Sequence, residues 1–431
     1  MSDERDPFRA PVGTHDVLPP ESDRWTELID RFSSRAARAG YGLIVQPTFE
    51  HVEVFRRVGE ATDVVRKEMY EFTDKGDRAL VLRPEGTAAV VRAFVQHHPV
   101  VPWKVWYLSP HFRYERPQKG RYRQHHQVGL EALGSDDPAI DVEVIALAAG
   151  FLRDLGLRRI SLMVNSLGDG ACRPAYLEAL TAYLAEHEAV LCDDSRARYR
   201  ENPLRVLDCK RRECVEVTEK APALFEHLCD DCRRHFERVE HGLDALGIKY
   251  EIAPRLVRGL DYYTRTAFEF VSDALDAAQS TVCGGGRYDG LAEEMGGAAT
   301  PGIGFGAGIE RLLIVCDAEG VLPVPQRRMD VYVVDAVGAE QGGADPALVL
   351  LDDLREVGLR TDRAYGGRSV KAQWRAADKS GAVYVVMVAP DEMARDVVAV
   401  KHMESGEQVE VRRDEVAGWL RGRLEGLGAS E

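Results

Sequence analysis

Residues 112–124 read Phe112-Arg113-Tyr114-Glu115-Arg116-Pro117-Gln118-Lys119-Gly120-Arg121-Tyr122-Arg123-Gln124, and His125-His126-Gln127-Val128-Gly129-Leu130-Glu131-Ala132 follows directly. In the second stretch the period is two. His125, Gln127, Gly129 and Glu131 face one way and Val128 and Leu130 the other, the pattern of a half-buried strand. The first stretch holds five cations in eleven residues, interrupted by Pro117 and Gly120. It lies between that strand and an apolar one over 105–108, which predicts a hairpin with a basic loop. Arginine forks match phosphate oxygens in bidentate fashion, so such a loop suits a nucleoside triphosphate or a nucleic-acid end. A solvated charge run is the usual origin of such a segment, but it does not explain a Gln and a Glu on one face of the next strand.

Outward from this hairpin the chain alternates helices and strands, an α/β pattern. Residues 22–39 read as an amphipathic helix, with Trp25, Leu28, Ile29, Phe32 and Ala36 at helical spacing and Gly40 closing it. Strands are predicted over 78–82 and 267–271, and a helix over 139–155. Residues 169–250 change character: helix-like, rich in Arg, Glu and Cys, and broken at Asn202-Pro203, they read as an inserted subdomain. The proline-bearing stretch 321–325 reads as a linker. Beyond it come a strand at 331–334, helices at 347–357 and 368–379, and a buried strand at 383–388. The expected division is 1–325, with the insertion at about 169–250, and 326–431.

Composition sets outer limits. Over 431 residues, 45% apolar and 29% charged content are ordinary for a soluble globular chain. A net charge of -15 does not favour nucleic acid by itself, although an acidic enzyme can carry a local basic groove. No apolar run approaches the roughly 18–20 residues that span a bilayer. The first residues are polar and charged, without a signal-peptide core. Eight cysteines in a chain of this size do not read as a secreted disulfide framework. The expectation is a cytoplasmic protein with no membrane partner.

Four further segments carry candidate chemistry. In Arg83-Pro84-Glu85-Gly86-Thr87, a carboxylate and a hydroxyl flank a glycine at a strand end, a set able to bind an ammonium group. The same residues also suit a turn in which Thr87 caps a helix beginning at Ala88. Arg258-Gly259-Leu260-Asp261-Tyr262-Tyr263 gathers an arginine and two tyrosine hydroxyls, or else is an ordinary strand edge with aromatic packing. Cys283-Gly284-Gly285-Gly286-Arg287-Tyr288-Asp289 lets a ligand approach the backbone closely, or is a flexible loop. Residues 302–308 alternate glycine with other residues and lead into a helix that carries Arg311 in its first turn. They formally fit a dinucleotide fingerprint, but Thr300-Pro301 precedes them and no βαβ unit surrounds them. Glycine at every second position fits a strand instead.

Taken in order, these segments resemble the histidyl-tRNA synthetase family, over essentially the whole chain. Gly13-Thr14-His15-Asp16 with Gln46-Pro47 resembles the family's opening and its dimer-forming first class II motif. The basic hairpin resembles the second motif and 304–311 the third. Residues 258–263 and 284–289 are similar to the two signatures peculiar to the histidine enzyme. The last domain resembles the anticodon-binding domain shared by several class II synthetases.

The resemblance implies an α+β catalytic domain with an antiparallel sheet flanked by helices, a helical insertion, a C-terminal α/β domain and a homodimer. It also implies a two-step reaction. L-histidine is activated by ATP to histidyl-adenylate and pyrophosphate, and histidine is then passed to the 3′ end of tRNA(His). By the family pattern Arg113 and Arg258 grip the α-phosphate and the carboxylate and are the catalytic pair. Glu85, Gly86 and Thr87 bind the ammonium, Gln127 and Tyr262 the substrate, and Glu131, Tyr263 and Tyr288 the imidazole. Glu115, Arg121, His125 and Arg311 hold ATP with Mg2+, and Arg116 and Gln118 at the loop tip meet the tRNA acceptor end. One position departs: the family more often has Phe where His125 stands, to stack on adenine.

In the last domain Arg355, Arg360, Arg363, Arg368, Lys371, Arg375 and Lys379 stand against Glu356, Asp362 and Asp378, a positive face of the kind tRNA binding needs. Cys192, Cys209, Cys214, Cys229 and Cys232 fall within 41 residues, and Cys229-x-x-Cys232 has zinc-knuckle spacing, so a structural zinc is a second expectation beside free thiols. Two other functions compete. One is a non-catalytic, synthetase-like regulatory subunit of histidine biosynthesis, which usually lacks the anticodon domain and degrades the arginine motifs; here Arg113, Arg258, Arg311 and that domain are present. The other is a class II synthetase for proline, threonine or glycine, against which 258–263 argues.

Overall fold

The computed structural model describes residues 8–59, 64–257, 260–275, 280–324, 329–338 and 345–428. The chain divides into two compact units, Met1–Pro323 and Val324–Glu431. In the first, the hairpin strands Trp103–Phe112 and Gln124–Leu133 pair antiparallel, placing Tyr107 opposite Gly129 and Val105 opposite Glu131. They lie within an eight-stranded sheet. Its order is Gly42–Leu43, Trp103–Phe112, Gln124–Leu133, Gly302–Gly308, Thr281–Arg287, Thr264–Ser272, Ile160–Ser166 and Glu251–Ile252. All internal pairings are antiparallel, and the two-residue edge strands pair parallel. The sheet order and antiparallel pairing rule out a doubly wound parallel fold.

One face of this sheet builds the core. Val128, Leu130, Ala132, Ile303, Phe305 and Phe268 pack against three helices, Glu21–Arg38, Pro138–Asp154 and Ile309–Glu319. Leu28, Phe32 and Ala36 recur at helical spacing on the first of these, which is why that face is buried. Asp137 caps the second through the Ala139 amide at 3.1 Å, with Pro138 at its first position. Burial of a side chain such as Phe151, at the centre of this cluster, contributes about 1.5–3 kcal/mol.

The other sheet face is polar, yet it is not exposed. From Val128 onward every residue of Gln124–Leu133 is buried, Glu131 fully so. The expectation of a half-buried strand is therefore corrected. The polar face is covered by Thr87 at the start of the helix Thr87–His97 and by the ring of Tyr288. The glycine triplet is likewise not a loop: Gly284, Gly285 and Gly286 sit in the buried strand Thr281–Arg287. A Cβ on Gly285 would run into the Gly304 carbonyl, so part of the triplet serves close strand packing.

Within 169–250 the described helices are Arg173–Glu186, Asp193–Arg198, Leu204–Leu207, Arg212–Thr218 and Asp230–Ala245. The last packs along Pro138–Asp154 and puts Phe236, Val239 and Leu243 into the main core. The second unit has a five-stranded sheet in the order Thr361–Arg363, Val331–Asp335, Tyr384–Val388, Val397–His402 and Gln408–Arg412. The first three strands run parallel and the last two add antiparallel. Helices Pro346–Glu356 and Val370–Ser380 start on side-chain caps from Asp345 and Ser369. No helix among the described residues is long and apolar enough to cross a membrane.

Candidate active site

A pocket of about 290 Å³ opens on the polar sheet face, and residues from the basic hairpin, the strand after it and all four further candidate segments line it. Glu85, Gly86 and Thr87 come from the strand-to-helix turn, Arg113, Glu115 and Arg121 from the basic hairpin, and His125 and Gln127 from the strand beside it. Tyr262 and Tyr263 face them, and Arg311 enters from the helix Ile309–Glu319. Arg258 and Gly259 lie outside the described residues.

Along Gln124–Leu133 the pocket changes character. The hairpin end is cationic. Six residues further, about 20 Å at strand rise, Glu131 is buried with both oxygens engaged. The Thr87 hydroxyl donates to Oε1 at 2.7 Å and the Tyr288 hydroxyl to Oε2 at 2.6 Å. Glu85 is also buried and accepts the Thr87 and Ala88 amides, both at 2.7 Å, and the Tyr262 hydroxyl at 3.4 Å. The cap expected from Thr87 is thus supplied by Glu85, and the helix begins one residue earlier, at Thr87. That frees the Thr87 hydroxyl for Glu131.

The glycines make this arrangement possible. A Cβ on Gly304 would collide with the Glu131 carboxylate, one on Gly302 with the Tyr288 ring, and one on Gly306 would lie 2.9 Å from Oε1 of Gln127. Alternate glycines on Gly302–Gly308 therefore clear space for the polar residues of the neighbouring strand. Gly86 and Gly129 do the same for Tyr107, whose ring a Cβ at either would strike.

Burial sets the electrostatics. It raises the Glu131 carboxyl to about 8, against the opposing hydrogen bonds from Tyr288 and Thr87. It raises Glu85 as well, opposed by the Ala88 and Thr87 amides and by the Arg113 charge. Burial, with Arg113 and His126 nearby, lowers His125 to about 3, so its ring is neutral at physiological pH. Burial and the Arg121 charge lower Arg311. Arg311 donates to the Thr281 carbonyl at 2.7 Å, while its Nε is buried without a partner. Arg113 Nε is held by the Pro84 carbonyl at 2.9 Å, and Arg121 pairs with Glu115 at 3.2 Å. Three guanidiniums converging on one pocket, that of Arg311 largely desolvated, favour an anionic ligand.

The profile described as Histidyl-tRNA synthetase matches residues 13–312, and that described as Anticodon binding domain matches 330–423. The histidine–tRNA ligase of Geobacillus kaustophilus (strain HTA426) is 51% identical over 424 residues, spanning 97% of this chain and 99% of that protein. That of Rhodococcus erythropolis (strain PR4 / NBRC 100887) is 50% identical over 96% of this chain and 97% of its own length. The chain belongs to the histidyl-tRNA synthetase family. The apo histidyl-tRNA synthetase of S. aureus superposes with a TM-score of 0.80 at 36% identity, over 96% of this chain and 99% of that one. A Bacillus halodurans chain described as an ATP phosphoribosyltransferase regulatory subunit/histidyl-tRNA synthetase shares the fold alone, at 20% identity and a TM-score of 0.64, over 89% of this chain and 98% of its own.

Against this family's pattern the structure brings most of the expected residues together and adds others. Glu131 and Tyr288 do not line the pocket but lie just behind Thr87. Arg116 and Gln118 are exposed on the hairpin, Gln118 in a tight turn with Arg121. Sequence reasoning missed Tyr107, Thr281 and Glu310, all in the pocket lining. Glu310 accepts the His126 amide at 2.9 Å and faces its Nδ1 at 3.0 Å. It also missed the buried partner of Arg287. This arginine points away from the pocket and forms an ion pair with Asp141, with Nε–Oδ1 at 3.1 Å, while His235 lies 3.3 Å from the same oxygen. Arg287 therefore fixes the strand end that carries Tyr288.

The seven cations of residues 355–379 are not equivalent. Arg363 is nearly buried between Asp335 at 2.9 Å and Asp345 at 2.7 Å, Arg360 pairs with Asp330 at 2.8 Å, and Arg355 donates to the Thr361 carbonyl at 3.0 Å. These three serve the fold. Arg368, Lys371, Arg375 and Lys379 are exposed, and the last three recur every four residues along Val370–Ser380, forming one stripe.

Proposed function

We propose that this pocket activates L-histidine with ATP and that the chain then transfers histidine to tRNA(His). A histidine carboxylate oxygen attacks the α-phosphorus, the bond to pyrophosphate breaks, and the mixed anhydride histidyl-adenylate remains. The terminal ribose hydroxyl of the tRNA then attacks the histidyl carbonyl, and AMP leaves. The observation that carries this reading is a pocket lined by three guanidiniums, Arg113, Arg121 and Arg311, and by Thr87, with the Glu131 carboxyl buried directly behind Thr87 and raised to about 8. A carboxyl and an imidazole that titrate near each other share a proton readily. A buried polar group that only one side chain satisfies rejects analogues strongly.

Arg113 and Arg258 draw the two anions together, and Arg121 and Arg311 hold the outer phosphates, so rate comes from positioning and fixed charge. Glu85, with Gly86 and Thr87, binds the ammonium. Gln127 and Tyr262 steady the substrate, and Tyr263 and Tyr288 complete the imidazole side with Glu131. The neutral ring of His125 stacks on adenine in place of a phenyl group. Mg2+ fits the donor set: it takes hard oxygen ligands, and Glu115 presents a carboxylate in the pocket beside Arg121. When bound it neutralises phosphate charge. Arg116 and Gln118 meet the tRNA acceptor end, and the Lys371, Arg375 and Lys379 stripe meets the tRNA backbone in the second unit. A homodimer is supported by the apolar segment around Gln46, where Leu43 at the edge of the eight-stranded sheet and Val45 and Phe49 after it are exposed. A cytoplasmic location follows from the same function. In the inserted region a structural zinc is part of this proposal.

Amino-acid-dependent ATP–pyrophosphate exchange with all twenty amino acids tests the activation step, repeated on Arg258→Ala. Exchange with histidine alone, largely lost in the variant, is expected. A folded protein that binds histidine but exchanges with no amino acid would overturn the reading in favour of a non-catalytic regulator.

A further inference from the structure

The five cysteines of the inserted region do not form one cluster. Cys192, Cys209 and Cys214 lie together, with the Cys192 and Cys209 sulfurs 3.8 Å apart and the Ser195 hydroxyl 3.3 Å from Cys192 and 3.4 Å from Cys214. Cys229 and Cys232 lie elsewhere, and two residues that the cysteine count had not grouped with them join them: Asp169 and Cys172. Asp169 and Cys172 follow the strand Ile160–Ser166, while Cys229 and Cys232 flank the start of the helix Asp230–Ala245.

We infer that Asp169, Cys172, Cys229 and Cys232 form a four-ligand structural zinc site, distinct from the three-cysteine cluster. Four observations carry it. The ligands come in two pairs of identical spacing, Asp169-x-x-Cys172 and Cys229-x-x-Cys232, as in structural zinc sites built from two knuckles. The four ligand atoms lie within 4.8 Å of one another. Their separations suit a tetrahedron. Zn–S and Zn–O bonds of about 2.3 and 2.0 Å require S···S near 3.8 Å and S···O near 3.5 Å. The structure has Cys172 to Cys232 at 3.9 Å, Cys172 to Asp169 at 3.4 Å and Cys229 to Asp169 at 3.9 Å. A disulfide would need about 2.05 Å, and Cys172, Cys229 and Cys232 are all free thiols.

The turn itself is shaped for a metal-bound thiolate. Gly168 has φ +60, and a Cβ there would lie 2.7 Å from the Cys172 sulfur. The Asp169 amide donates to that sulfur at 3.3 Å. Three thiolates and a carboxylate leave a net negative charge around a divalent ion. Arg265 offsets it, 3.7 Å from Asp169, as does Arg173, the residue after Cys172. Soft sulfur ligands in a tetrahedral set select zinc over magnesium or calcium. Cys229 is only half-buried, which gives the ion a way in. The location has a consequence for the pocket. Arg173 donates to the carbonyls of Leu167 and Tyr263, so an ion at Cys172 would lock the turn directly behind a pocket residue.

The test is metal content per chain by mass spectrometry, on untagged full-length protein purified under reducing conditions without added zinc. The wild type is expected to carry one more zinc than Cys229→Ser or Cys172→Ser, while Cys192→Ser retains that zinc. Equal zinc in wild type and Cys229→Ser overturns the proposal, as does a loss seen in Cys192→Ser but not in Cys229→Ser. If the serine variants do not fold, Co2+ substitution of the intact protein decides. The intense visible bands of tetrahedral thiolate-bound cobalt support the site, and weak six-coordinate bands or no uptake overturn it.

Discussion

The two ends of one strand, Gln124–Leu133, are built on opposite principles. At the hairpin end the side chains are half-buried or exposed, and the loop is held by a few bonds, among them Arg123 to the Gly13 carbonyl at 2.8 Å. At the other end Glu131 is wholly buried, gripped by Thr87 and Tyr288, with Gly304 making room for it. The loop offers charge that can adapt to triphosphate and tRNA. The buried end offers one preformed hydrogen-bonding geometry. Charge attracts any nucleotide, but only a fixed, desolvated partner can select one side chain.

Breaking the support of the buried end has the largest expected effect. Arg287→Met leaves Asp141 buried with His235 as its remaining partner, which costs about 3–5 kcal/mol. Denaturant unfolding of the variant against the wild type measures this. A smaller effect is expected from Gly304→Ala, which drives a methyl group against the Glu131 carboxylate at about 1–3 kcal/mol. Its KM for histidine rises while its KM for ATP holds; equal rises in both would show that the glycine serves the whole sheet and not Glu131.

At the loop end, Arg116→Ala with Gln118→Ala is expected to slow aminoacylation by about tenfold, the loss of one charge-assisted hydrogen bond. ATP–pyrophosphate exchange should be unchanged, because both residues lie outside the pocket lining. Comparing the two assays on one preparation checks this. The smallest effect is a pH slope. The Glu131 carboxyl is raised in the folded state, so its protonated form is favoured there. Its contribution to stability is full below the unfolded value near 4.3 and is lost as pH rises through about 8. The Tm of the wild type should therefore fall relative to Glu131→Gln between pH 5 and pH 8.

What the sequence made legible follows from how far apart in the chain the partners lie. The alternation over 125–132 and the glycines of 302–308 are local, period-two signals, and both became central strands. Asp141 with Arg287 and Asp169 with Cys229 join residues far apart in the chain, and no local pattern announces them. The strands Val397–His402 and Gln408–Arg412 were not predicted, and the second of them is a largely exposed edge strand with a weak apolar pattern. The two readings of Thr87, ligand and helix cap, stay open in the sequence because a hydroxyl at a helix start often caps it, and only the fold shows Glu85 already in that part. Among the cations of 355–379, composition could not separate Arg363, locked between Asp335 and Asp345, from the exposed Lys371.

The division of labour along the strand is tested most directly by Glu131→Gln in steady-state ATP–pyrophosphate exchange. The account predicts a KM for histidine raised by about a hundredfold or more, as expected when a buried hydrogen-bonding partner is altered, with the KM for ATP unchanged. A KM for histidine near the wild-type value, or a matching rise for ATP, would contradict it.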